Sequence, residues 1–267
     1  MGLELPGRGV LLTGASGGIG RAIARALHAR GAHLVVTARR GKVLEEIRAE
    51  LGERVEPVRA DLADRDDVAG LAERAAALDV LVANAALPAV GPVDDFSPEE
   101  IDRALDVNLR APVQLTRLLL PGMVERGRGH LVFISSLSGK VAAAGSGLYS
   151  ATKFGIRAFA AGLREDLHGT GVGVTTVFPG FVRESGMFAE AQVELPRGVG
   201  TRSPEDVADA VVRGIERGKA ELDVAPLTMR AGALTAALAP TLSARLQRRL
   251  GGAELSEQIA RGQASKR

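Results

Sequence analysis

Residues 13–20 of this sequence read Thr13-Gly14-Ala15-Ser16-Gly17-Gly18-Ile19-Gly20, and they follow the apolar run Val10–Thr13. A helix is predicted to open near residue 19, so the glycines stand between a strand and a helix. Such glycines let the backbone approach a pyrophosphate, and the helix N-terminus offers unpaired N–H groups with a partial positive charge. The stretch predicts a nucleotide-binding turn, although it does not by itself identify a reaction. The predicted cofactor contacts here are Gly14, Ser16, Gly18, Ile19 and Gly20.

Short apolar runs alternate with longer helical patterns along the rest of the chain. The predicted strands are Val10–Thr13, Leu34–Thr37, Val55–Val58, Val80–Ala83, Leu131–Ser135, Val174–Phe178 and Glu221–Val224. The predicted helices lie near 19–30, 42–51, 66–77, 98–126, 150–168 and 204–217. Continuous apolar runs are typical of parallel strands that are covered on both faces. This order predicts an α/β fold, a Rossmann-type doubly wound parallel sheet of about seven strands with helices on both faces.

The 267 residues suffice for one large domain, which we place at 1–226, with a C-terminal extension at 227–267. In the extension, leucines recur every fourth residue at Leu234, Leu238, Leu242, Leu246 and Leu250. This spacing predicts a helix that packs on the body or on a second subunit. A helix on a membrane surface is the less favoured alternative. Residues 251–267 are predicted to be frayed.

Composition excludes several classes of function. The net charge of +2 and the scarcity of aromatic residues argue against a nucleic-acid partner. Cysteine is absent, so the chain has no disulfide framework, and we predict no metal site. The N-terminal residues show no secretion signal, and no apolar stretch reaches the ~20 residues that span a bilayer. We therefore predict a cytoplasmic protein without an integral membrane segment.

The end of the second predicted strand bears on the cofactor. Where an acid would bind the adenosine ribose, about 20 residues past the glycines, this chain has Ala38 followed by Arg39 and Arg40. A guanidinium binds a 2′-phosphate through charge-assisted hydrogen bonds. We therefore favour NADP, with NAD as the alternative if the arginines only solvate a loop.

The loops after the third and fourth strands add further candidates. Asp61, followed by Leu62, is placed to accept a hydrogen bond from adenine, and Asn84 with Ala85 is placed to hold the chain beside the cofactor. Capping or turn roles are the structural alternative for these residues.

The only tyrosine of the chain, Tyr149, precedes Lys153 by four residues on a predicted helix. This spacing places both side chains on one face. A nearby ammonium lowers the pKa of a phenol from ~10 toward neutrality, where general acid–base catalysis is most effective. The alternative is a chance pair with a packed phenol.

An apolar strand ending in Ser135 and Ser136 precedes this helix, and Ser138 follows. Ligands of a parallel sheet lie beyond the carboxyl ends of its strands, so these serines are candidates to bind a substrate oxygen. Spacing alone does not separate them. Asn108 is placed to hold a water that connects Lys153 to solvent.

Together these motifs resemble the short-chain dehydrogenase/reductase family over roughly residues 7–225. The resemblance implies a catalytic tetrad of Asn108, Ser136, Tyr149 and Lys153. In it, tyrosine exchanges a proton with the substrate oxygen, serine orients that oxygen, lysine binds the nicotinamide ribose and asparagine holds a relay water. The family serine precedes the tyrosine by thirteen residues, which selects Ser136. Further implied cofactor contacts are Asn84, Ala85, Tyr149, Lys153, Pro179, Gly180 and Val182.

The chain departs from the family pattern at three places. Ala86 replaces a glycine and is expected to crowd the backbone slightly. Glu184 occupies the usual threonine position, so Ser185 or a shifted loop has to substitute. Gly17 stands where NADP-preferring members often carry a basic residue, so the phosphate preference rests on Arg39 and Arg40.

The resemblance implies hydride transfer between a nicotinamide and a small-molecule carbonyl or secondary alcohol. The region between Pro179 and Thr201 and the loop Leu87–Val90 are mostly apolar, which favours a hydrophobic ketone or alcohol over a sugar. A catalytically silent dinucleotide-binding regulator or redox sensor is the alternative. A sugar-nucleotide epimerase or dehydratase would need a longer C-terminal domain. The family usually pairs its long helices, here near 98–126 and 150–168, which predicts a homodimer or homotetramer.

Overall fold

A seven-stranded parallel sheet forms the centre of the molecule, in a computed structural model that describes residues 2–184, 200–239, 241, 243, 245 and 252–263. The strand order is β3-β2-β1-β4-β5-β6-β7. The strands are β1 Gly9–Thr13, β2 His33–Ala38, β3 Val55–Arg59, β4 Val80–Ala83, β5 Gly129–Ile134, β6 Val172–Pro179 and β7 Glu221–Val224. The predicted doubly wound parallel sheet is confirmed, and the observed strands overlap all seven predicted ones.

Helices cover both faces of this sheet. They are α1 Gly18–Ala29, α2 Gly41–Leu51, α3 Arg65–Arg74, α4 Pro98–Leu105, α5 Ala111–Glu125, α6 Gly147–Asp166, α7 Pro204–Arg217, α8 Leu227–Leu238 and α9 Gly252–Gln263. Local sequence starts α4 and α7, because Ser97 and Ser203 each form a capping box with the third helical residue. Asp64 caps α3 in a similar way by accepting from two backbone N–H groups.

Two hydrophobic cores lie on opposite faces of the sheet. One packs α1, α2 and α7 against the strands, and the other packs α3, α5 and α6. β2 lies beside β1 on one side and β4 lies beside β1 on the other. The direction in which successive strands are added to the sheet therefore reverses between β1 and β4. Ligands of open α/β sheets bind in the crevice at such a reversal, beyond the carboxyl ends of the strands.

The prediction of one continuous helix at 98–126 is wrong, because three consecutive helical segments occupy this range. α4 ends at Leu105, a π-helical turn spans Asp106–Arg110, and α5 begins at Ala111. A π turn contains an extra residue and often marks a functional site. The turn displays Asn108 toward the loop after β4, a contact that helical periodicity does not predict.

The extension differs from its prediction more strongly. In α8 the buried residues are Ala233 and Ala236, whereas Leu234 and Leu238 are 64% and 80% exposed. Leu234 and Leu238 therefore do not pack on the body, where the smaller side chains permit a closer approach, and packing of the stripe on a second subunit stays a prediction. Leu242, Leu246 and Leu250 lie outside the described residues. The predicted fraying is also wrong for residues 252–263, which form α9.

Within the described part of the chain, no helix has both the length and the apolar character needed to span a membrane.

Candidate active site

Asn84 joins the glycine turn to the loop after β4, at the point where the strand order reverses. Its Nδ2 donates to the carbonyl oxygens of Thr13 and Gly14, both at 3.1 Å. In return, Thr13 Oγ1 accepts from the backbone N–H groups of Asn84 and Ala85, also at 3.1 Å. Gly14 has φ 68°, and a Cβ there would lie 2.7 Å from Ala85 Cα. Asn84 and Ala85 thus hold the loop after β4 against the glycine turn, their cofactor contact stays a prediction, and close approach requires glycine at position 14.

The N-terminus of α1 fits an anionic ligand. Gly17 is its N-cap and provides no side-chain hydrogen bond, and the first turn contains no acidic residue. Gly20 is required for packing, because a Cβ there would lie 2.2 Å from Gly14 O. The first N–H groups of the helix, which include those of Ile19 and Gly20, therefore remain available to a pyrophosphate. Gly18 and Ser16 lie in the same turn, as predicted.

Ala86 does not crowd the turn, contrary to expectation. Its side chain is exposed, and its φ is not positive, since Glu184 is the one non-glycine residue with positive φ in the described ranges. A glycine at position 86 is therefore not required by the backbone here.

Three exposed arginines, Arg39, Arg40 and Arg59, lie at the carboxyl ends of β2 and β3. Arg40 Nη2 donates to the Ser16 carbonyl at 3.2 Å, and Arg59 Nε donates to the Arg39 carbonyl at 3.2 Å. All three side chains are exposed, and in the described structure none lies within ion-pair distance of a carboxylate. Arg59 joins the cluster because its residue pairs with Ala38 across the sheet. This positive cluster beside the glycine turn fits an adenosine 2′-phosphate.

Arg59 was missed by the sequence analysis. The signal that would have found it is the sheet register, since the last residues of neighbouring parallel strands end side by side.

Asp61 has structural partners of its own. Its carboxylate accepts from Arg103 Nη2 at 2.8 Å and from the Ala63 backbone at 3.1 Å. Burial raises its pKa, but the bonds from Arg103 and Ala63 and the charges of Arg103 and Arg39 outweigh burial and keep the pKa below its usual value. The carboxylate is thus ionised and able to accept a further hydrogen bond. Leu62 is buried beside Thr13 and Ala85.

Ser136, Tyr149 and Lys153 come together at the end of β5. Ser136 lies near enough to Tyr149 to lower the pKa of the phenol, and its hydroxyl donates to the Pro179 carbonyl at 3.5 Å. Lys153 Nζ lies 5.6 Å from the centre of the Tyr149 ring and donates to the Ile134 carbonyl at 2.9 Å. The helix spacing of four thus produces the predicted proximity of phenol and amine.

The structure also separates the three candidate serines. Ser135 Oγ donates to the Lys153 carbonyl at 3.0 Å, so this buried serine anchors α6. Ser138 contributes a backbone N–H to Ser136 Oγ at 3.1 Å. Only Ser136 among the three affects the pKa of Tyr149, which it lowers, and this favours the serine that the family spacing selects.

Burial dominates the electrostatics of this cluster. Burial raises the pKa of Tyr149 well above the ordinary value of a phenol, and the interaction with Ser136 offsets only a part of this increase. Burial also lowers the pKa of Lys153 to about 8. The expected lowering of the tyrosine pKa by Lys153 is therefore not realised in the protein without cofactor. The physical reason is that the phenolate is desolvated while the ammonium is bound to a backbone carbonyl.

Asn108 uses its side chain differently from the prediction. Its Oδ1 accepts from the Leu87 N–H at 2.6 Å, and its Nδ2 donates to the Leu87 carbonyl at 3.0 Å. The side chain therefore holds the loop after β4, and the relay water stays a prediction.

The remaining predicted contacts lie at the end of β6. Pro179 is the last residue of that strand, and Gly180 N donates to Val224 O at 3.0 Å. Val182 is buried and pairs with Arg202 in an isolated bridge. Glu184 has a left-handed backbone with φ 66°. Ser185 and the other residues of 185–199, including most of the expected substrate lid, lie outside the described residues.

Comparison with known proteins agrees with this geometry. The sequence model described as short chain dehydrogenase matches residues 8–195. The ketoacyl reductase HetN of Nostoc sp. (strain PCC 7120 / SAG 25.82 / UTEX 2576) is 35% identical over 269 residues, covering 96% of this chain and 93% of that protein. The NADP-dependent 3-hydroxy acid dehydrogenase YdfG of Escherichia coli (strain K12) is 38% identical over 216 residues, covering 76% of this chain and 86% of that protein.

Solved structures of dehydrogenases also match the fold of this chain. The closed form of serine dehydrogenase complexed with NADP+ matches with a TM-score of 0.74 and 34% identity, covering 82% of this chain and 95% of that one. A short-chain dehydrogenase from Sphingobium yanoikuyae in complex with NADPH matches with a TM-score of 0.76 and 30% identity, covering 88% and 95%. The chain therefore belongs to the short-chain dehydrogenase/reductase family of oxidoreductases.

Proposed function

We propose that this protein interconverts a carbonyl group and a secondary alcohol with NADP, and that Tyr149 exchanges the proton. The observation that carries the proposal is the grouping of Tyr149 with Lys153, whose Nζ lies 5.6 Å from the ring centre, and with Ser136, at the end of the sheet that also presents the glycine turn. A serine and a tyrosine hydroxyl grouped at the same strand end can both serve one substrate oxygen.

Each side chain then has a defined task. During reduction the Tyr149 hydroxyl gives its proton to the carbonyl oxygen, while the Ser136 hydroxyl orients that oxygen. A bound dihydronicotinamide supplies the hydride that the carbonyl carbon receives. Lys153 holds a positive charge close to the phenol, which stabilises the phenolate that forms. Asn108 is a positioning residue that fixes the loop carrying Leu87.

The predicted NADP cofactor is confirmed at the level of the relatives, because the matched 3-hydroxy acid dehydrogenase is NADP-dependent and both matched structures contain NADP+ or NADPH. For this chain, the cluster of Arg39, Arg40 and Arg59 supports the same choice. The pyrophosphate is assigned to the N-terminus of α1, and Asp61 remains a proposed contact for adenine.

For the substrate we propose an apolar ketone or ketoacyl compound. Tyr149 shares a hydrophobic cluster with Val90, Phe96 and Leu148. Among the relatives are a ketoacyl reductase and a 3-hydroxy acid dehydrogenase. An apolar wall favours the neutral ketoacyl group over a free hydroxy acid, whose carboxylate would be desolvated there.

The test compares the parent protein with Tyr149→Phe in NADPH-dependent reduction of a panel of 3-oxo esters, aliphatic ketones and sugars, and in NADP+-dependent oxidation of 3-hydroxy acids. We expect turnover of the apolar carbonyls, loss of turnover in Tyr149→Phe, and unchanged NADPH affinity. Full turnover by the variant would refute the role of the phenol. Preference for sugars or for free acids would refute the substrate class. No relative supports a catalytically silent regulator.

We also propose that the protein associates with a second copy of itself through α5 and α6. Leu118 and Val124 on α5 and Phe154 on α6 are large apolar side chains with substantial exposure. Light scattering should detect a dimer or tetramer, and Phe154→Glu should shift it toward monomer. Ala49→Glu, which places a carboxylate on the exposed face of α2, is the control that should leave the assembly unchanged.

A further inference from the structure

The phenol of Tyr149 is almost fully buried within a hydrophobic cluster built from several segments. Tyr149 is only 7% exposed in the protein without ligands. Its hydrophobic cluster contains Ala89 and Val90 from the loop after β4 and Phe96 near the start of α4. The same cluster contains Ala260 and Ile259, which belong to α9, far away in sequence.

α9 contacts the body with one defined face. Ala260 is 5% exposed and Gln263 is 1% exposed, and these residues lie three apart on the helix. The opposite face carries an ion pair between Glu257 and Arg261, and Gln258 is also exposed. This is the pattern of an amphipathic helix seated on a surface.

The seat of this helix is the predicted substrate wall. Ala89 and Val90 belong to the loop that is predicted to form a wall facing the substrate, and both are buried in the cluster that includes Ala260 of α9. Ala89 is also joined to the start of α6, because the Tyr149 N–H donates to its carbonyl at 3.1 Å. The loop after β4, the tyrosine and α9 therefore contribute to one hydrophobic cluster.

We propose that α9 is a cover over the substrate side of Tyr149, and that its seating controls which carbonyl compounds reach the phenol. The proposal rests on the proposed function, since it concerns access to the same hydroxyl. A small substrate needs less displacement of the Ala260 face than a bulky one. The seated helix thus selects against bulky substrates, and its release widens the range.

The chain offers a direct reporter of this cover, because Tyr149 is its only tyrosine and it has no tryptophan. The emission of the cofactor-free protein comes from this phenol, and its collisional quenching by acrylamide measures access. Ala260→Glu buries a carboxylate under the helix and should unseat it. Gln258→Glu places the same carboxylate on the exposed face and serves as the matched control. A chain that ends at Gly251 removes the helix.

We expect a several-fold higher quenching constant in Ala260→Glu and in the shortened chain, and no change in Gln258→Glu. NADPH affinity should be unchanged in all of them. Equal quenching in every protein would overturn the proposal. Should neither altered chain retain NADPH affinity, α9 is needed for the fold of the body and is not a separable cover, which also overturns it.

Steady-state kinetics test whether the seating of α9 controls which carbonyl compounds reach the phenol. The ratio of kcat/KM for a bulky ketone to that for a small ketone should rise several-fold in Ala260→Glu and stay constant in Gln258→Glu. An unchanged ratio, despite greater quenching, would refute control of access. If no protein of the series, the parent included, reduces any carbonyl compound, the proposed function fails, while the quenching result still decides whether α9 covers Tyr149.

Discussion

The cluster of Arg39, Arg40 and Arg59 makes a sharp prediction about cofactor choice. Replacing Arg59 with Gln removes one guanidinium while the neighbouring strands stay unchanged. In the described structure none of the three arginines is paired with a carboxylate, so each is available to a phosphate. A charge-assisted hydrogen bond at an exposed site contributes about 1.5 kcal/mol, which corresponds to about tenfold in Kd.

We therefore expect Arg59→Gln to weaken NADPH about tenfold and to leave NADH unchanged, since only NADPH carries the 2′-phosphate. Arg39→Asp should weaken NADPH further, because it also introduces repulsion. Arg40 differs, as it donates to Ser16 O in the glycine turn. Arg40→Gln should loosen that turn and weaken both cofactors.

The assay is a fluorescence titration of each variant with NADPH and NADH, repeated at two salt concentrations. Arg74→Gln is the control, because Arg74 is an exposed arginine already paired with Glu56 at 3.1 Å. The NADPH affinity of the parent should fall more steeply with salt than that of Arg59→Gln. Equal losses of NADPH and NADH in Arg59→Gln would refute the assignment of Arg59 to the phosphate.

Three further predictions address the buried polar groups. The near-ultraviolet titration of the single phenol, Tyr149, should give a pKa above the ordinary ~10 without cofactor. The pKa should be lower with NADP+ bound, because the positive charge of its nicotinamide ring favours the phenolate. A pKa below ~10 in the free protein would contradict the burial argument. Asn108→Ala leaves both buried backbone groups of Leu87 unpaired and should lower the free energy of unfolding by about 2–4 kcal/mol in urea titrations; a smaller loss would mean that water replaces the amide. His130 is buried, and burial lowers its pKa from 6.5 to about 3, so its contribution to stability is complete above pH 6.5 and is lost as the pH falls toward 3. Stability should drop by about 2 kcal/mol from pH 7 to pH 5 through this group, and His130→Gln should show a shallower dependence on pH; parallel curves would exclude His130 as the cause.

Local sequence predicted the fold and most members of the candidate site. Strand and helix periodicities are local, and a glycine turn between the first strand and helix specifies a nucleotide-binding sheet. The spacing of Tyr149 and Lys153 on one helix placed both groups together, as observed. Those inferences needed only contacts within one turn of helix or one βα unit.

Tertiary structure alone decided which groups meet across the sheet. Ser135 and Ser136 are neighbours in sequence, but they point to opposite sides, and the position of α6 determines which one contacts the phenol. Arg59 joins Arg39 only through the register of β2 and β3. The partner of Asn108 depends on the π turn.

Dependence on tertiary packing also explains why the predicted fraying of the C-terminal extension and the predicted lowering of the Tyr149 pKa were wrong. A short polar helix has little propensity to persist by itself, so its sequence resembles a frayed tail. Its stability comes from burying Ala260 and Gln263 on a surface that several distant segments build. Burial by those segments also reverses the expected direction of the tyrosine pKa, because desolvation is a property of the packed whole and not of a four-residue spacing.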